Sequence, residues 1–227
     1  MAYERFHLDA PPHFRGLHPD LPVRMYTRHL PHWRQVGATY AVTFRLCDSL
    51  PKEKLDLLKS MRNHWELKYP PPRSEDAWRE YAKSVTTSVE KWLDQGAGAC
   101  HFRKREFADE LARSVMHFQD QKYFVGSYVV MPNHCHLVIR PNDEFDLSKI
   151  LGAMKGVVAR YVNKSIRGSG SLWQQECFDR IIRDEEHLYH VIQYIGRNPR
   201  LAGLPQSQWC RWVHPEWEKA GWGFRDP

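Results

Sequence analysis

Residues 127–140, SYVVMPNHCHLVIR, constrain this chain more than any other stretch. They read as two β-runs, 128–131 and 135–139, hinged at Pro132-Asn133, a dipeptide with turn chemistry. The second run opens with His134 and His136 around Cys135. Residues two apart on a strand share a face, so both imidazoles project together from one side of a sheet. Two neutral imidazoles side by side can hold a divalent cation, and a cation beside a groove can polarise a phosphate. A bare His-x-His near a turn is more often a pair of idle polar residues, so the rest of the chain has to decide.

Composition narrows the classes. A chain of 227 residues buries one substantial core or a core with an appendage. No apolar run approaches the roughly 18 residues of a membrane span, and mean hydropathy is −0.64. The first residues, MAYERFHLDAPPHFRG, lack the apolar segment of a signal peptide, so the expectation is a cytoplasmic protein. The five cysteines are scattered without a CxxC pair, which argues against a disulfide framework and against a structural zinc knuckle. A formal charge of +6 fits a polyanionic partner without demanding one.

Residues 1–35 are rich in Pro, His and Arg and read as an irregular basic arm. Arg28 and Trp33 are its candidate DNA contacts, the first on phosphate and the second stacked on a base. Residues 38–46, ATYAVTFRL, alternate as a strand. Leu55, Leu58, Met61 and Trp65 predict a helix over 51–68, stopped by Tyr69-Pro70-Pro71-Pro72; Trp78, Tyr81, Val85, Val89 and Trp92 predict a second over 76–93. A third follows over 104–118. After the histidine strand, Asp146 or Ser148 caps a helix with the stripe Leu147, Ile150, Leu151, Met154, Val157, Val158, Tyr161 and Val162. Its other face carries Lys149, Lys155, Arg160 and Lys164, and Arg167 opens a Gly/Ser hairpin. A basic helix face is ordinarily solvated surface; Lys155, Arg160, Lys164 and Arg167 are nevertheless the candidate phosphate contacts here. Residues 172–183 read as extended.

The last helix opens at Asp184, with Leu188, Val191, Ile192 and Ile195 as its core stripe. At about 100° per residue, Tyr194 and Asn198 fall together on a flank, with His187 and His190 nearby. Pro199 is expected to end the helix, leaving Asn198 in the last turn and the Tyr194 hydroxyl free. Residues 205–227 form a tail with Trp209, Trp212, Trp217 and Trp222, some of which should dock on the core.

Together, YVVMPNHCHLVI, LSKILGAMKGVVARYVN, GSGSLWQQECFDRIIRDEEHL and YIGRNPRLAGL resemble the REP-associated tyrosine transposases, single-tyrosine HUH nucleases related to the transposases of the smallest bacterial insertion sequences. The resemblance covers about 38–212, includes the HLPHW…GATYAVTFRL entry and is weakest over 51–98. It implies an α+β, ferredoxin-like (RRM-like) fold: an antiparallel sheet with helices packed on one face, over residues 36–204, with a helical insertion at about 51–98. It makes His134 and His136 metal ligands, Asn198 the third ligand and Tyr194 the nucleophile. It implies Mg²⁺ or Mn²⁺ as cofactor, single-stranded or hairpin DNA as partner, a monomer or homodimer, and a nucleoid-associated location. The implied activity is a metal-dependent single-stranded-DNA endonuclease and strand transferase working through a 5′-phosphotyrosine. His187 or His190 is a candidate for the phenol proton, and Tyr161 and Tyr189 are rival nucleophiles. Two other classes compete: a non-catalytic nucleic-acid binder stacking bases on an RRM-like sheet, against which the chain lacks an RNP1-like run, and a hydrolase of small phosphate esters, for which too few ligands assemble.

Overall fold

The computed structural model describes residues 7–225. A two-stranded hairpin comes first, β1 (Arg24–Thr27) and β2 (Pro31–Arg34). The strands β3 (Tyr40–Arg45), β4 (Tyr123–Val130), β5 (His134–Pro141), β6 (Phe178–Ile181) and β7 (Cys210–Val213) form one antiparallel sheet, in the order β6-β3-β5-β4-β7. Between them run α1 (Lys52–Lys68), α2 (Glu75–Leu93), α3 (Arg105–Met116), α4 (Leu147–Ile166), α5 (Glu185–Leu201) and α6 (Pro215–Lys219). The path β3-α3-β4-β5-α4-β6 is a ferredoxin-like βαββαβ unit, with α1–α2 inserted after its first strand and β7 added at one edge. The expected α+β class holds.

Alternation along the central strands separates two cores. Phe44, Cys135, Leu137 and Ile139 face α3 and α4, where Phe107, Leu111, Met154 and Val158 are buried. Val129 and Val138 face the opposite way, onto Leu188, Val191, Ile192 and Ile195 of α5. Helices therefore cover both faces of the sheet, not one as expected. The reason is the sheet's own pattern: buried on both sides, β4 and β5 need apolar cover twice.

Three further differences bear on the site. The arm expected to be irregular holds the β1–β2 hairpin, pinned to β6 by His32 and Arg34 on Asp179. The tail is part of the fold: β7 pairs with β4, and Trp217 and Trp222 are wholly buried. Each ring removes roughly 4 kcal/mol worth of apolar surface from water, as an upper figure. Their indole N–H groups donate to the carbonyls of Pro12 and Asp9, so the tail also holds the N-terminal segment. Trp217 lies where any side chain at Gly126 would stand, 2.2 Å from an added Cβ, at the irregularity in β4. Finally, Pro199 lies inside α5, which runs on to Leu201. Proline removes one N–H, but Ala202 still donates to Asn198 and Leu204 to Pro199, so the last turn is kept.

The α1–α2 insertion has a small core of its own, around Trp65, Tyr81, Val85, Val89 and Leu93. Ser74 caps α2 by accepting from Ala77. No described helix is long and apolar enough to cross a membrane.

Candidate active site

β5 is central, paired to β3 on one side and β4 on the other, with His136 opposite both Thr43 and Val129. That registry turns His134 and His136 towards α5, and each is only 1% exposed. Their Nε2 atoms are 3.1 Å apart. The Asn133 amide donates to the carbonyls of Leu93 and Ala97, which directs its Oδ1 at His134 Nδ1, 2.8 Å away. The imidazole has to donate there, so His134 Nε2 carries a bare lone pair. His136 Nδ1 meets Thr43 Oγ1 at 2.9 Å. Burial depresses both imidazoles, His134 further through His136, and His136 to about 3 with Arg180 adding to the effect. Both are neutral at physiological pH.

The α5 helix brings the third group. Asp184 caps its start by accepting from His187, and its apolar stripe sits on Val129 and Val138. Asn198 is 1% exposed, with its amide 2.8 Å from His136 Nε2. Its Oδ1 is buried without a hydrogen-bond partner. Two imidazole nitrogens 3.1 Å apart, with an amide beside them whose oxygen is unpartnered, are a donor set that fits a divalent cation. Among the described residues no three His, Cys, Asp or Glu side chains gather into a metal-binding group.

One turn before Asn198, Tyr194 is half-buried, its ring 6.3 Å from that of His136 and nearly perpendicular to it. Its hydroxyl is not free, as expected from the sequence, but donates to Glu90 Oε2 at 3.2 Å. Helix α2 reaches α5 here through Glu90, and the sequence pattern did not say where the insertion would pack. Burial raises the phenol pKa, and the charges of Glu90 and Asp94 raise it further. The cleft here, about 40 Å³, is lined by Thr43, Thr86, Glu90, His136, Arg180 and Tyr194. Arg180 is exposed on its rim, and its guanidinium has no hydrogen-bond or ion-pair partner among the described residues.

The other candidates lie elsewhere. Tyr161 is 37% exposed on α4, across the sheet from the histidines, rather than on a core stripe. Tyr189 packs against Trp222. His187 Nδ1 accepts from the Arg183 N–H, and His190 pairs with Glu186 at the surface. Among the candidate DNA contacts, Arg28, Arg160, Lys164 and Arg167 are exposed, the last three at α4 on the face away from the histidines. Trp33 is half-buried with its indole donating to Glu75, and Lys155 donates to the Gln174 carbonyl. Thr43, Asn133, Glu90, Asp94 and Arg180 were not picked out by sequence reasoning. Only Asn133 had a signal, its place next to His134 in the turn.

The model of the family described as "Transposase IS200 like" matches residues 101–198. That segment contains His134, His136, Tyr194 and Asn198 and leaves out α1 and α2. No curated protein matches the chain. A solved structure described as a REP-associated tyrosine transposase bound to a REP hairpin is similar at 14% identity and a TM-score of 0.38, over 80% of this chain and 75% of that one. A likeness so distant carries no argument.

Proposed function

We propose that this chain is a metal-dependent single-stranded-DNA endonuclease and strand transferase that acts on hairpin DNA through a 5′-phosphotyrosine. The observation that carries this reading is the meeting of His134 Nε2, His136 Nε2 and the Asn198 amide one helical turn from Tyr194. The transposase domain over 101–198 supports it, and so does the resemblance of the four motifs. The covered sheet counts against a base-stacking binder, because both faces of β3, β4 and β5 are packed by helices.

His134, His136 and Asn198 would hold a divalent cation, which would supply Lewis-acid charge at the scissile phosphate. The chain's own residues do the rest. Asn133 and Thr43 fix the two rings, so their lone pairs are directed before any substrate arrives. Arg180 offers an unpaired guanidinium to the phosphate at the rim. Tyr194 Oη attacks phosphorus, the bond to the 3′ oxygen breaks, and a 3′-hydroxyl is released. The phosphotyrosine keeps the energy of the phosphodiester, so a second 3′-hydroxyl can reverse the step and join strands.

The test is a hairpin oligonucleotide labelled 3′ of the cleavage point, incubated with Mn²⁺ and run on a denaturing gel. Wild type carries the label covalently and Tyr194→Phe does not, with hairpin binding retained by both. Full activity in excess chelator, or an adduct on Tyr161 or Tyr189, overturns this assignment.

A further inference from the structure

Helix α2 has two working stripes. Val85, Val89 and Leu93 are buried in the insertion's own core, while Thr86 and Glu90, each one residue later, line the cleft, and Asp94, one turn on, acts on Tyr194 through its charge. The end of α2 thus sets two carboxylates near Tyr194, one of them, Glu90, on the cleft itself. Glu90 Oε2 accepts the Tyr194 hydroxyl at 3.2 Å, and Asp94 has a buried Oδ1 without a hydrogen-bond partner. Neither residue lies in the segment that matches the transposase family. The histidines near the start of α5 are occupied: His187 by the Arg183 N–H and His190 by Glu186.

We propose that Glu90 is the general base that takes the proton of Tyr194, so that the inserted helical hairpin supplies a catalytic group to the transposase domain. The inference rests on Tyr194 being the nucleophile. In the forward step the Tyr194 proton passes to the Glu90 carboxylate as the Oη–phosphorus bond forms. The phosphorus–O3′ bond breaks, and the 3′ oxygen takes a proton from water. In rejoining, an incoming 3′-hydroxyl attacks phosphorus and loses its proton to water, the Oη–phosphorus bond breaks, and Glu90 returns its proton to Oη.

Geometry comes first for a general base, and 3.2 Å is within direct transfer reach. Electrostatics supports the assignment. Burial raises Glu90 above the usual carboxylate range, Arg180 and the Tyr194 hydrogen bond oppose that, and the outcome is a better base than an exposed glutamate. The charged groups facing Glu90 are Arg180 from β6 and Asp94 from its own helix, with Tyr194 from α5. With two carboxylates beside it, a free phenolate is disfavoured, so proton transfer has to accompany the attack.

The test compares wild type, Glu90→Gln and Glu90→Asp for the initial rate of adduct formation across pH, with melting temperature and hairpin binding measured in parallel. Glutamine keeps the shape and can still accept the phenol's hydrogen bond, but it cannot take the proton. The expected result at neutral pH is a rate about 10²-fold below wild type for Glu90→Gln, rising with pH as hydroxide replaces the base, and a partial recovery in Glu90→Asp. Binding and melting stay as in wild type. An independent readout is ultraviolet titration of tyrosinate in metal-free protein: loss of the neighbouring charge makes one tyrosine ionise at lower pH in Glu90→Gln. A Glu90→Gln rate within about threefold of wild type overturns the base while leaving the nucleophile standing. A faster rate also overturns it, and makes Glu90 a mask over the phenol. Absence of an adduct in wild type overturns the functional reading and the base with it.

Discussion

Buried histidines in this molecule differ in charge: His134 and His136 are neutral and His32 is a cation. His134 and His136 are each 1% exposed and His32 is 4% exposed, so burial hardly distinguishes them. His32 is held between Asp179 at 2.7 Å and Glu176 at 3.1 Å, and its pKa rises to about 9 although burial alone lowers it. His136 has Thr43, the Asn198 amide and a second imidazole as neighbours, and its pKa falls to about 3. The chemistry of the partner decides the outcome. Carboxylates make His32 a fixed cation that fastens the hairpin to β6, whereas neutral partners leave the β5 pair as lone-pair donors. One arrangement suits structure and the other suits a ligand.

The comparison breaks most sharply under truncation. His136→Ala should lower adduct formation per folded molecule by at least about 10³-fold, roughly 4 kcal/mol in the barrier, while hairpin binding survives. Loss of hairpin binding with intact melting would instead give the histidines a recognition role.

His32→Ala should do the converse. It leaves Asp179 and Glu176 with less compensating charge, and the expected cost is about 3 kcal/mol in a denaturant titration, with an unchanged adduct rate per folded molecule. The sign with pH follows from the raised value. The clamp's contribution is complete below about pH 6.5, the unfolded histidine value, and is lost as pH rises through about 9. Wild type should therefore lose up to about 3 kcal/mol over that window, and the variant should lack the slope. A parallel fall in both proteins would show that His32 is not the cation.

The smallest expected effect sharpens the contrast from the site's side. Burial, reinforced by Glu90, raises Asp94 to about 6, so its ionisation costs stability as pH climbs from 3.8 to that value. Asp94→Asn should stabilise the fold by about 1 kcal/mol above pH 6, with no gain below about pH 4. A loss of stability at neutral pH would mean that the carboxylate has a partner in solution.

Much of this site was legible in residue spacing. Alternation in 134–139 put both imidazoles on one face and Cys135 on the other, and the structure agrees. Spacing of four put Tyr194 beside Asn198 on one flank of α5. These are periodicities of the backbone, decided within a few residues. Pro199 misled because a local rule about proline ignores the carbonyl bonds that Ala202 and Leu204 still make around it. The hairpin in the arm was hidden because its four-residue strands are held by a clamp on residues far along the chain.

By itself, then, the sequence determined the elements, the faces of their side chains and the identity of the histidine, tyrosine and amide groups, because each follows from local geometry. Only the tertiary structure decided the charge of each histidine and the partner of the Tyr194 hydroxyl. Glu90 and Tyr194 are 104 positions apart, and no period joins them. What brings them together is where the insertion sits against the domain, a choice among long-range contacts that hydrophobic pattern leaves open. The same packing removes water from the phenol and aims a carboxylate at it, which makes an ordinary-looking glutamate on an inserted helix part of the site.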